Sequence, residues 1–319
     1  YEKRDDASIC CGESISGDNV QRQAATPQLT ERLACMAAIW GANQGYALGA
    51  LVLGNRLREL SSGSSRRVDL ILLHTDDVPN SYLRLLATLW KLRKVDYIEG
   101  VRGLFTSKGT TFDGVFTKIN AWGATEYSKV LLLDIDVIPL KSLDDLFDLE
   151  TPAAMARGNS DNAHGSAVDG RHWFGGEEDG EFAWWQGGGI NAGVILLRPS
   201  KATFEHMRRE VTAEVHPEHI PGGGPEQDYL SRYFAGAPWN HISVKYNFQP
   251  HQVPFALEHY LGWRPNLSWQ YSEWLPLRLA MPLGEVRNVH FSVAVKMWDR
   301  YVPARTGESD EEFAERILR

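Results

Sequence analysis

Short aliphatic runs alternate with segments of helical periodicity along most of this chain. LACMAAIW (33–40), VDLILLHT (68–75), KVLLLD (129–134) and INAGVILLRPS (190–200, stopped by Pro199) each read as a strand buried on both faces. YALGALVLGNRLREL (46–60), SYLRLLATLWKLRK (81–94), VFTKINAWGATEYS (115–128) and KATFEHMRREVTAEV (201–215) carry apolar residues at helical spacing. That exchange predicts an α/β domain with a mostly parallel sheet flanked by helices. In such sheets ligands gather at the carboxyl ends of the strands.

One of those ends is unusual. The run KVLLLDIDVIPL (129–140) passes straight from aliphatic residues into Asp134 and Asp136. Carboxylates are seldom buried without a partner, so something positive belongs beside them. Three readings are open. Asp136 or Asp144 could cap a helix in SLDDLFDL, which leaves Asp134 without a role. A haloacid dehalogenase-type phosphatase also sets Asp-x-Asp after an apolar strand, with the first Asp as nucleophile, but near the start of its domain. A divalent metal site is the third: hard oxygen ligands suit Mn²⁺ or Mg²⁺, which bridge to substrate phosphates.

Bulk properties narrow the class. The 319 residues carry a formal charge of -8, which argues against a general nucleic-acid binder. Hydrophobic residues make up 43%, enough for a large core. Cys10, Cys11 and Cys35 form no disulfide framework and no Cys-x-x-Cys pair. A cytoplasmic or a Golgi-lumen location fits them equally. No apolar run is long enough to span a membrane, and a chain beginning at Tyr1 leaves room for an anchor or signal upstream. Residues 1–28 read as a polar, disordered lead-in, 29–303 as one large domain, and 304–319 as a charged tail.

Several separated segments together resemble glycosyltransferase family 8, the group containing glycogenin and galactinol synthase. They are YALGALVLGNRL (46–57), TKINAWGATEYSKVLLLDIDVIPL (117–140), INAGVILLRPS (190–200), GPEQDYLSRYF (224–234) and NVHFSVAVKMW (288–298), in the family's order. The resemblance implies a GT-A type, Rossmann-like fold, a UDP-sugar donor, bound Mn²⁺ or Mg²⁺, and transfer with retention of configuration. It implies Asp134, Asp136 and His290 as metal ligands and Lys296 on the diphosphate. Lys118 would lie near the donor sugar and phosphates, and Trp40, Asn43, Tyr46 and Ile135 around uracil and ribose. Asn191, Glu226 and Gln227 would surround the transferred sugar, with Glu226 or Gln227 as candidates for the group opposite the leaving phosphate. The acceptor could be a carbohydrate, a protein or a small polyol, and a homodimer is compatible with the chain. A binding protein that kept this fold and lost turnover is the alternative.

The chain departs from the family at Val293, where Gly is usual, at Met297 in place of Pro, and at Ile135 in place of a frequent Ala. Trp122, Trp239 and Trp298 read as core. The interval 158–189 holds nine glycines together with Trp173, Trp184 and Trp185, and reads as an insertion whose tryptophans form an acceptor-side lid. His216, His219 and Glu226 suggest zinc only weakly, because their segment is a Pro/Gly loop without cysteine.

Overall fold

The computed structural model describes residues 31–100, 114–157, 162–173, 189–213, 225–250, 282–292, 296, 298, 305 and 307–318. The elements run β1 (Leu33–Ile39), α1 (Gln44–Ser61), β2 (Val68–His74), α2 (Asn80–Leu86), β3 (Lys91–Lys94), a 3-10 helix (Val115–Gly123), β4 (Lys129–Leu133) and β5 (Val137–Pro139). A second 3-10 helix (Asp144–Asp148), β6 (Ala153–Ala156), β7 (Ala167–Val168), β8 (Ile190–Leu197), α3 (Lys201–Thr212) and α4 (Pro225–Tyr233) follow. β9 (Trp239–His241), β10 (Asn288–His290) and α5 (Asp310–Leu318) complete them.

Eight strands form one sheet in the order β3-β2-β1-β4-β8-β6-β9-β7. β3, β2, β1 and β4 run parallel, as do β6 and β9. β8 is antiparallel to both β4 and β6. β1 shows why its sequence is apolar throughout. Leu33, Cys35, Ala37 and Ile39 face one core with α1 and α2, while Ala34, Met36 and Ala38 face a second core with the 115–123 helix, α3 and α4. A strand covered on both faces has no side to leave polar.

The expected helix over 81–94 is broken. α2 ends at Leu86, and Lys91–Lys94 pair with β2 as an edge strand. The cause is Trp90. Its indole lies on Gly54 of α1, where a Cβ would stand 2.4 Å from Nε1, and donates to the Ala50 carbonyl at 2.9 Å. Docking that ring outweighs the local helical pattern. The 115–128 helix is likewise shorter and tighter, a 3-10 turn over Val115–Gly123.

The interval 158–189 is described over 162–173 and at Gly189, and the first of these stretches packs onto the sheet. β7 pairs with β9, and Trp173 is buried at 7% exposure in the core. Trp173 is therefore no sugar platform, and Trp184 and Trp185 lie outside the described residues. Trp122, Trp239 and Trp298 are core residues. The charged 304–319 segment supplies α5, which begins with a capping box: Ser309 Oγ accepts from Glu312 N, and Glu312 Oε2 accepts from Ser309 N. Its Phe313 meets Tyr82 of α2 edge-on at 5.8 Å.

Candidate metal and sugar-transfer site

Asp134 and Asp136 stand at the carboxyl end of β4. The turn that carries them is fixed by backbone bonds: Asp134 N donates to Gly193 O on β8, and Phe291 N donates to Asp136 O. β5 then pairs antiparallel with β10, with His290 opposite Val137. This two-stranded ribbon returns a residue from the far end of the chain onto the aspartates. His290 Nε2 lies 3.3 Å from Asp136 Oδ1 and 3.8 Å from Asp134 Oδ2. The three residues offer ligand atoms that all lie within 4.8 Å of one another. Space for the imidazole comes from Gly193, where a Cβ would stand 2.3 Å from His290 Cε1.

Two lysines complete the cluster. Lys118 Nζ is 2.5 Å from Asp134 Oδ1 and 3.4 Å from Glu226 Oε1. Lys296 Nζ donates to Asp136 Oδ2 at 2.6 Å and to the Phe291 carbonyl at 2.9 Å. Burial works to raise the Asp136 carboxyl, but His290 and Lys296 outweigh it and hold it well below the usual carboxylate range. Glu226 goes the other way. Burial, with the nearby Asp134 charge, pushes it up to about 7 against the pull of Lys118. Burial also works against the Lys118 charge, yet Asp134 and Glu226 keep its pKa raised. The distances reconcile the pair: Lys118 serves Asp134 first, leaving Glu226 under-compensated.

α4 delivers Glu226 in its first turn. Arg157 donates to Asp228 at 2.8 Å, and Ser231 Oγ accepts from Ile190 N while donating to Gln227 O. These bonds tie α4 to the start of β8 and to the residue that follows β6. The Gln227 side chain is half-buried. Asn191 does make the local turn bond, accepting from Gly193 N at 3.0 Å, and it also accepts from Asn247 Nδ2 at 2.8 Å.

The turn after β1 holds the other predicted residues. Asn43 caps α1 by accepting from Tyr46 N at 3.2 Å. Trp40 is half-buried, and Tyr46, 36% exposed, lays its ring 5.2 Å from Trp298. Trp298 sits on the glycine face of α1, since a Cβ at Gly49 would stand 2.5 Å from its ring and 2.8 Å from Ile135 Cγ2. The Ile135 side chain is therefore core packing. Asp144 lies inside its 3-10 turn, which has no side-chain cap, and Asp136 is engaged by Lys296 and His290, so neither is a helix cap. Val293, Met297, His216 and His219 lie outside the described residues.

The donor set fits a hard divalent cation: two carboxylates from the turn between β4 and β5 and one imidazole from β10. Asp134 Oδ1 is buried, and among the described residues the Lys118 ammonium lies against it. Sequence reading missed Asn247, Gly193 and the Arg157–Asp228 pair. A buried Arg–Asp pair has no sequence period, and Asn247 lies in a segment without pattern.

Comparison with known proteins agrees with this geometry. The family described as "Glycosyl transferase family 8" matches residues 38–301. An uncharacterized protein of Acanthamoeba polyphaga mimivirus is 29% identical, over 87% of this chain and 86% of its own length. UDP-glucuronate:xylan alpha-glucuronosyltransferase 2 of Arabidopsis thaliana is 28% identical over 72% of this chain, and the match spans 35% of the plant protein. Glycogenin of Neurospora crassa is 27% identical over 65% of this chain and 26% of its own length. Among solved structures, an active-site mutant of LgtC superimposes with a TM-score of 0.52 at 17% identity, covering 89% of this chain and 95% of that one. Mouse xyloside xylosyltransferase 1 gives 0.51 at 16% identity, covering 82% and 97%. At these identities the two structures speak for the GT-A fold alone.

Proposed function

This chain belongs to glycosyl transferase family 8, and from that premise we propose that it transfers a hexose or related sugar from a UDP-sugar to an acceptor with retention of configuration. The observation that carries the reading is the convergence of Asp134, Asp136 and His290 on one point beside two lysines. Those three residues would hold Mn²⁺ or Mg²⁺. A bound divalent ion supplies Lewis-acid stabilisation of the charge that develops on the departing UDP.

The protein's own groups do the rest. Lys296 turns from Asp136 to the diphosphate and adds a positive charge where negative charge grows. Lys118 holds Asp134 in place and lends its charge to the donor phosphates and sugar. Trp40, Asn43 and Tyr46, which follow β1 in the chain, would meet uracil and ribose, with Ile135 as the residue between the two aspartates bounding the ribose side. Asn191, Glu226 and Gln227 border the transferred sugar. Glu226 or the Gln227 amide provides the oxygen that faces the oxocarbenium-like carbon.

Two plant relatives are named as glucuronosyltransferases of xylan and of inositol phosphorylceramide; for this chain glucose, galactose, glucuronic acid and xylose all stand as donors. The acceptor is a carbohydrate, a protein or a small polyol. The test is UDP release across a panel of UDP-sugars, with Mn²⁺ and with chelator, and with Asp136→Asn as control. Manganese-dependent release from one sugar, lost in the variant, supports the reading and names the donor. Tight donor binding with no release under any acceptor would replace it with a nucleotide-sugar binding protein.

A further inference from the structure

A buried chain of side chains connects the two halves of the site, and its orientation is fixed at one end. The Gly193 amide can only donate, so the Asn191 atom it meets at 3.0 Å is the carbonyl oxygen Oδ1. Asn247 approaches that same oxygen at 2.8 Å and must present its NH₂ group. Its other atom, Oδ1, then faces His290 Nδ1 at 2.8 Å and can only accept. His290 Nδ1 is therefore protonated, and Nε2 is the nitrogen that faces Asp134 and Asp136. Side-chain amides and imidazoles are ordinarily assigned by inference; here a backbone N–H fixes both amides and the proton on His290 Nδ1.

Asn247 is fully buried and Asn191 nearly so. With its oxygen taken twice, Asn191 has its NH₂ group left to offer. We propose that Asn247 is a positioning residue with two outputs: it holds His290 as the Nδ1–H tautomer with the Nε2 lone pair toward the metal, and it turns the Asn191 NH₂ toward the transferred sugar. The proposal rests on the metal and sugar roles given above. It makes one amide the link between cation binding and sugar orientation. Groups that orient a ligating histidine typically contribute about 10- to 100-fold in metal affinity.

The test uses the full chain and three readouts. Mn²⁺ affinity is measured by electron paramagnetic resonance for wild type, Asn247→Leu and Asn247→Asp, with thermal melts to establish folding. Asn247→Leu, unable to accept from His290, should bind Mn²⁺ about 10- to 100-fold more weakly. Asn247→Asp still accepts from His290 but cannot donate to Asn191, so it should keep Mn²⁺ affinity and lose UDP release. Nitrogen-15 spectra of the Mg²⁺-loaded wild type, with His290→Gln to assign the signal, should show the proton on Nδ1. A folded Leu variant with wild-type Mn²⁺ affinity would overturn the proposal, as would a proton on Nε2 or an equal loss of Mn²⁺ in both variants. Failure of the wild type itself to bind Mn²⁺ is a separate result that removes the metal reading, and with it the His290 half of the inference. Should Asn247→Leu not fold, the Asp variant and the wild-type spectrum decide the matter.

Discussion

Lys118 places its ammonium 2.5 Å from Asp134 and 3.4 Å from Glu226, so one buried cation is shared between a metal-ligand candidate and a second carboxyl that it compensates only in part. Removing it leaves two mostly buried carboxyls without their shared cation. Breaking a buried pair by deleting one partner costs about 3–5 kcal/mol. Lys118→Met should therefore lower the urea stability of the chelated protein by an amount of that order. Saturating Mn²⁺ should restore part of it, because a cation returns beside Asp134. Equal losses with and without Mn²⁺ would place Lys118 in packing alone.

Lys296 sits on Asp136 in the same way, at 2.6 Å. Lys296 would give up Asp136 where that carboxylate held a divalent ion, and its ammonium would then be available to a diphosphate. Metal and nucleotide should then reinforce each other, as coupled ligands must do reciprocally, by roughly 5- to 150-fold. Calorimetry of UDP binding with and without Mn²⁺ measures the factor. In Lys296→Met the residual coupling should be smaller than in wild type. An unchanged factor would mean that Lys296 never leaves Asp136.

How much of this was legible before the structure depends on whether the cause was local. β1 and β4 were readable because strands buried on both faces must be apolar at every position, and Asp134 and Asp136 stood out against that background. β3 was not, because the ring that ends α2 is captured by Gly54 and Ala50, residues some forty positions earlier. The tryptophan-rich interval misled through composition: Trp173 looked exposed among glycines and is core. Asp134 and Asp136 were found from the strand they end, and His290 joined them only through a family motif. Asn247 was not found, since a neutral amide in an aperiodic segment announces itself only through its neighbours in space.

Glu226 should leave a mark on stability against pH. Its folded pKa, about 7, lies above its ordinary 4.5. The folded state thus binds this proton more tightly than the unfolded chain. The contribution is fully present below pH 4.5 and is lost as pH rises through about 7. Glu226→Gln keeps the neutral form at every pH. In chelator, the variant should gain on wild type as pH climbs through that window, by denaturant titration at either end. A constant difference would mean that Lys118 keeps Glu226 ionised throughout.

Gly193 carries two duties that a single methyl separates. Its amide anchors Asn191, and its missing Cβ leaves the volume that His290 occupies, since an added carbon would stand 2.3 Å from Cε1. Alanine keeps the amide and fills the space. β8 pairs with β4 and β6 on either side of Gly193, and the Gly193 carbonyl accepts from Asp134 N, so the imidazole should yield before the strand. Overpacking of this kind typically costs about 1–3 kcal/mol. Gly193→Ala should therefore stay folded with a lowered melting temperature, while Mn²⁺ affinity falls by at least as much as in Asn247→Leu, because the ring itself moves off the aspartates. If Mn²⁺ affinity held while stability dropped, the added carbon would have displaced the strand instead of the ring, and the antiparallel pairing of β8 would be softer than its position in the sheet implies.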